Sequence, residues 1–196
     1  MPSKLIRFID IVLSIIAIVL LSPILIVIYF LIAINMGIPV FFAQERLGYN
    51  GKVFTVLKFR SMDSSKVINE EKLEKVNEHT IKFKNDPRIT PLGSFLRKSS
   101  LDELPQLFNV LKGDMSLVGP RPWVPEEYEN LPKEWFARLN AKPGITGLAQ
   151  INGRSDLDMA KIVELDIEWV QTQSLKRYFT VLMQTVLSTT KMKNVY

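Results

Sequence analysis

From Ile11 to Ile34 the chain runs for 24 residues in which only Ser14, Ser22, Pro23 and Tyr29 interrupt plain apolar side chains. As one helix this segment would reach ~36 Å, enough to cross a hydrocarbon core of about 30 Å. It is longer than the apolar core of a signal peptide, and no small-residue cleavage site follows it. Pro23 deletes a backbone donor and crowds the carbonyl of Val19, which predicts a kink, while the neighbouring Ser22 hydroxyl can bond the freed carbonyl. Lys4 and Arg7 precede the segment, and Arg46, Lys52, Lys58 and Arg60 follow it. Flanks of one sign place both ends on the cytoplasmic side. A kinked spanning helix satisfies the length alone, whereas a helix–break–helix that enters and leaves by one face satisfies length and charge together. The latter is the expectation, with residues 1–38 as the membrane segment, 39–196 as a cytosolic-face domain, and membrane lipid as a partner.

The remaining chemistry is narrowed by what is missing. The chain has no Cys and one His, His79, so disulfides, thiol nucleophiles and Cys/His zinc sites are excluded and a Ser–His triad is hard to build. Lys and Arg number 25 against 20 Asp and Glu, and the +5 balance favours anionic partners. The excess is local: residues 43–112 hold 13 basic and 9 acidic side chains, residues 113–196 hold 10 of each. No basic stripe with interleaved aromatics appears, so nucleic acid is not an expected partner. Carboxylates, cations and a hard metal ion are what an enzyme could use here.

Beyond the apolar segment the pattern is α+β, helix-rich with small β-hairpin elements. Residues 39–42 and 52–60 read as strands joined by an Asn50–Gly51 turn. The Lys- and Glu-rich segment 64–84 reads as a charged helix or mobile loop. Leu104 to Lys112 reads as a helix stopped by Gly113, and Met159 to Gln173 as a helix with acids on one face. Residues 119–122 and 142–147 read as stiff Gly/Pro loops. Leu175, Phe179, Leu182 and Val186 share a helical face near Lys176 and Arg177, suiting an interfacial amphipathic helix or one packed on the core. Trp123, Trp135 and Trp169 suit the core better than the headgroup layer.

Ser99 to Gln106, SSLDELPQ, carries the most local information. Ser100 and Glu103 match a capping box, which alone would make Asp102 and Glu103 ordinary first-turn acids. Pro105 disturbs that reading, because it belongs at the first helical position. Placed at a helix N-terminus, Asp102 is expected to stay ionised and to be competent as a nucleophile toward phosphorus. Its neighbour can hold Mg²⁺, which needs few protein carboxylates when substrate phosphates supply other ligands. Candidate phosphate partners are Lys58 and Arg60 on one strand face, Arg97 ahead of the acids, Arg121 between two prolines, and Arg154 after Asn152–Gly153. From these residues alone, a membrane phosphohydrolase and a non-catalytic membrane adaptor both remain open.

The motifs taken together carry a resemblance. Asp10 through Ser22–Pro23, QERLG at 44–48, KFRSM at 58–62, DPRIT at 86–90, LRKSSLDELPQ at 96–106, NVLKGDMSLVGPRP at 109–122 and KPGITGLAQ with Asn152–Gly153–Arg154 follow one another as in the monotopic phosphoglycosyl transferases. The chain resembles the small form of that family, a catalytic core alone. The resemblance implies transfer of a sugar 1-phosphate from a UDP-sugar to polyprenol (undecaprenyl) phosphate at the cytoplasmic face of the bacterial inner membrane, initiating a lipid-linked glycan. It implies Asp102 as covalent nucleophile, Glu103 as the Mg²⁺ ligand, UMP as leaving group, and a re-entrant helix broken at Ser22–Pro23. The chain departs from the family's usual residues at Gln173 and Tyr178, leaving the packing of the last helix open.

Overall fold

The computed structural model describes residues 4–63, 65–66, 86–128, 131–153 and 157–189. His79, Arg154 and nearly all of the charged 64–84 segment lie outside these described residues.

The apolar segment forms α1, Lys4–Met36, a helix of 33 residues that extends beyond the expected stretch at both ends. The expected break is not seen: helical structure continues through Ser22 and Pro23. The compensation at the proline is the one the sequence suggests, since Ser22 Oγ donates to Val19 O at 2.8 Å, the carbonyl that Pro23 cannot serve. Among the described residues α1 is the one helix long and apolar enough to cross a membrane.

Only the two ends of α1 are buried. Ile6, Asp10 and Ser14, spaced by four, form one inward stripe, and Ile28 and Ile32 form another. Ile6 packs into a core with Val118, Trp169, Tyr178 and Val181, while Ile28 and Ile32 meet Val40, Phe59 and Leu96. Between them Val19 and Leu20 are 65% and 72% exposed. Cations fasten both ends to the body. Arg7 donates to Val110 O and Leu111 O, and Arg60 donates to Met36 O and Gly37 O, the terminal carbonyls left without helical partners.

Strands β1, Phe41–Leu47, and β2, Val53–Phe59, form an antiparallel hairpin from Phe41↔Phe59 to Leu47↔Val53. Asn50 and Gly51 have φ of 55° and 73°, the two positive values that a type I′ turn requires. That turn fixes the register and extends β1 through the polar residues 44–46, which the apolar pattern alone does not reveal. Helix α2, Pro91–Lys98, not foreseen from the sequence, is capped by Thr90, whose Oγ1 accepts from Gly93 N. Gly93 is required there: a Cβ would lie 1.8 Å from Ser61 O.

A one-turn 3₁₀ segment, Leu101–Glu103, leads into α3, Gln106–Lys112, so the helix expected from Leu104 starts two residues later. Strands β3, Ser116–Val118, and β4, Gly144–Thr146, pair in parallel; β4 falls inside the stretch 142–147 expected as a stiff loop, and β3 just ahead of the one expected at 119–122. Three residues each, set among Gly and Pro, are too short to show a period of two. Their contact is close because Gly144 has no side chain; a Cβ would lie 2.0 Å from Gly119 N. Two 3₁₀ segments, Pro125–Tyr128 and Lys133–Asn140, lie between these strands. Then follow the single-turn α4, Leu148–Ile151, and helices α5, Met159–Thr172, and α6, Leu175–Thr189.

Helix α6 is both core helix and amphipathic surface. Tyr178 and Val181 are buried, while Phe179, Met183 and Leu187 are exposed. The departure at Tyr178 has a structural partner: its hydroxyl donates to Asp10 Oδ1 at 2.7 Å, and the same oxygen accepts from Ser116 Oγ and Leu117 N. Trp123 and Trp169 are buried, and Trp135 packs partly buried in the cluster that contains Trp123.

Candidate active site

Ser100 adopts the left-handed conformation, φ 58° and ψ 16°, and its side chain caps nothing. The capping-box reading is therefore corrected. A non-glycine residue in this region is held there by its surroundings, and the turn it creates places Asp102 and Glu103 ahead of α3 rather than inside its first turn. Pro105 occupies the position just before α3, so it costs no helical hydrogen bond.

Glu103 points back to the hairpin and across to the β3–β4 region. Its Oε1 accepts from Lys58 Nζ at 2.8 Å and from Arg121 Nη2 at 2.9 Å; among the described residues Oε2 has only Arg121 Nη1 at 3.5 Å. Lys58 is aimed by β2, which Asn109 of α3 grips from the side: Leu57 N donates to Asn109 Oδ1, and Asn109 Nδ2 donates to Thr55 O. Burial would push the Glu103 carboxyl up, but the Arg121 and Lys58 charges and their hydrogen bonds outweigh it, holding the group far below the usual carboxylate range. Burial, despite Glu103, pulls the Lys58 amine down, while the Glu103 charge raises the Arg121 guanidinium.

Asp102 is 8% exposed, and among the described residues its carboxylate accepts no hydrogen bond. Burial first, then the adjacent Glu103 charge, raise it to about 6 against the opposing Lys58, Arg97 and Arg121 charges. The expectation that a helix terminus keeps Asp102 low is thus reversed. Two neighbouring carboxyls are driven apart, the pattern that assigns different chemical roles to adjacent acids.

Arg97 approaches from α2. Its Nε donates to Ser61 Oγ at 2.8 Å, which leaves its terminal nitrogens open among the described residues, and its charge acts on Asp102. Lys58, Arg97 and Arg121 thus converge on the acid pair. Arg60 does not: it is committed to the end of α1, where unpaired carbonyls outcompete a distant site. Arg154 lies outside the described residues.

Two basic residues close to the site were not singled out from the sequence as site residues. Arg46 of β1 donates to Pro122 O at 3.2 Å, and burial together with the Arg121 charge lowers it to about 10. Arg138 lies beneath Arg121, buried with Asp166. Asp166 turns inward from α5, so the acids of that helix do not share one face. In the sequence both arginines look like ordinary surface cations.

Among the described residues no three Asp, Glu or His side chains gather as a protein-built metal cage. The donor set still fits Mg²⁺ carried by a diphosphate, which takes one protein carboxylate and keeps its other ligands as water and phosphate oxygen. Glu103 Oε2, with its single long contact, is the available oxygen.

Fold and site together define an α+β body on a long apolar helix, with two carboxylates ringed by cations. The family model described as "Bacterial sugar transferase" matches residues 1–192, and the chain belongs to that family. It is 44% identical over 186 residues to the undecaprenyl-phosphate galactose phosphotransferase of Salmonella typhimurium, covering 91% of this chain and 39% of that protein. It is 39% identical over 189 residues to the exopolysaccharide production protein ExoY of Sinorhizobium fredii, covering 92% and 83%. The UDP-glucose:undecaprenyl-phosphate glucose-1-phosphate transferase of Escherichia coli is 45% identical over 174 residues, covering 85% and 36%. The chain spans about two fifths of the length of the Salmonella relative and of an uncharacterized sugar transferase of Haemophilus influenzae.

Proposed function

We propose that this chain is a phosphoglycosyl transferase that moves a sugar 1-phosphate from a UDP-sugar to undecaprenyl phosphate through a phospho-aspartate on Asp102. The activities that name the Salmonella and E. coli relatives support the substrate classes. The observation that carries the mechanism is the division of labour between the two acids. One oxygen of Glu103 is clamped by Lys58 and Arg121, whereas Asp102 is buried, accepts no hydrogen bond among the described residues and is faced by Arg97. A carboxylate without hydrogen bonds is a better nucleophile than one whose lone pairs are engaged.

In the first half-reaction an Asp102 oxygen attacks the sugar-bearing phosphorus. The new O–P bond replaces the bond to the nucleotide phosphate, which departs as UMP. Arg97 and Arg121 hold phosphate oxygens bidentately and neutralise charge as the leaving group separates. In the second, an oxygen of undecaprenyl phosphate attacks the same phosphorus, the acyl–phosphate bond breaks, and the Asp102 carboxylate returns. No proton need move in either step. Glu103 would hold Mg²⁺, whose chemistry when bound is to polarise the diphosphate.

The membrane reading belongs to the same proposal. Helix α1 is fastened to the body at both ends and exposed between them, which supports both ends lying at one face of the membrane, the cytoplasmic face of the inner membrane, with the exposed middle in lipid. The lipid phosphate then meets the soluble donor at the boundary.

The test is to quench purified protein after exposure to a panel of ³²P-labelled UDP-sugars and map the label. Label on Asp102, chased into organic-soluble product by undecaprenyl phosphate, is expected. Label on another residue, or full turnover by Asp102→Asn, overturns the mechanism; free sugar phosphate as the sole product, even with lipid present, makes the protein a phosphohydrolase.

A further inference from the structure

Arg121 reaches Glu103 from a stretch with no regular secondary structure, yet that stretch is held at every carbonyl. Pro120 O accepts from Gly144 N at 2.9 Å, Arg121 O from Arg138 Nη2 at 2.7 Å, and Pro122 O from Arg46 Nη1 at 3.2 Å. The prolines on either side restrict the backbone further. Of the three hooks, the one on Arg121 itself comes from a group buried more deeply than the site.

Arg138 is 1% exposed. Its Nε and Nη2 donate to Asp166 Oδ2 at 3.0 and 2.5 Å, its Nη1 donates to Tyr128 Oη at 2.7 Å, and its guanidinium lies 3.5 Å above the centre of the Trp123 ring. Every nitrogen of the fork is therefore used, and one arm ends on the arginine that clamps Glu103. A buried ion pair is a poor source of stability, since apolar residues of similar volume often do as well. What it supplies is a rigid plane with five donors in fixed directions, which neither Lys nor an apolar side chain reproduces.

We propose that Arg138, oriented by Asp166, is a positioning residue: it holds the Arg121 carbonyl and thereby aims the Arg121 guanidinium at Glu103 and the donor diphosphate. This rests on the transferase reading above, in which Arg121 binds phosphate. Arg138 itself touches no reacting atom.

A double-mutant cycle separates this role from simple folding support. The full chain is assayed for UMP release, with Arg138→Lys introduced both into the wild-type background and into Arg121→Met. In the wild-type background kcat/KM is expected to fall about 10- to 100-fold, and in Arg121→Met less than about 2-fold, because a residue acting through Arg121 has nothing left to aim. Equal losses in both backgrounds overturn the proposal. Should Arg138→Lys not fold, Asp166→Asn, which keeps the guanidinium but loosens its orientation, must show the same dependence on Arg121. Wild-type protein that releases no UMP from any UDP-sugar refutes the transferase reading instead. The positioning is then read from the ¹⁵N guanidinium signals of Arg121, which must lose their restricted rotation in Arg138→Lys and keep it in Tyr128→Phe; unchanged signals in Arg138→Lys overturn it.

Discussion

Asp102→Asn should stabilise the protein while abolishing its turnover, and the gain should depend on pH in a calculable way. Asp102 sits at about 6 in the folded chain against a reference of 3.8. A carboxyl raised on folding holds its extra proton below the unfolded value, and that contribution is lost as pH climbs through the folded one. At pH 8 the folded state therefore carries the full penalty of an ionised, buried Asp102 beside Glu103. The shift is roughly 2 units at ~1.4 kcal/mol each, a ceiling of about 3 kcal/mol. Coupling to Glu103 makes about 1–3 kcal/mol the working range. In a chain of this length that corresponds to about 2–10 °C in Tm. Asparagine keeps the shape and removes the charge, so its advantage should be present at pH 8, small by pH 4 and gone below the unfolded value. Thermal unfolding in detergent with EDTA, so that no divalent ion offsets the charge, measures it. An Asn variant less stable than wild type at pH 8, or a difference that ignores pH, would refute the account of Asp102 as a destabilised nucleophile.

Two further outcomes are expected. Arg97→Met removes a charge that lowers Asp102, so the acidic limb of the kcat/KM profile for UMP release should move to higher pH; an unmoved limb would place Arg97 away from Asp102. Tyr178→Phe takes one of three donors from the buried Asp10 Oδ1, and should lower stability by about 1–2 kcal/mol in denaturant titration with kcat unchanged, since that cluster fastens α1 rather than touching substrate.

The acid pair was legible in the sequence because no Cys and a single His left little else to carry chemistry. The long apolar helix was legible because apolar length is a local property, and the hairpin because Asn–Gly demands two positive φ values. The sequence also pointed to Ser22 as the partner of Val19, since both lie within one turn of Pro23. Local signals failed where a long-range partner decided the outcome. Ser99–Gln106 reads as a capping box only until Lys58 and Arg121, 45 and 18 residues from Glu103 along the chain, take its carboxylate. Arg60 reads as a phosphate ligand until the end of α1 arrives beside it.

By itself, then, the sequence determined the apolar helix and the tight hairpin, each set by neighbours within a few positions, and pointed to the two acids through what the composition lacks. Tertiary structure alone decided which acid is clamped by cations and which is buried without a hydrogen bond among the described residues. It also decided which arginines reach them and which hold backbone in place. Those properties depend on desolvation and on Coulomb interactions over a few ångströms, and such distances exist only once strand, turn and helix have come together.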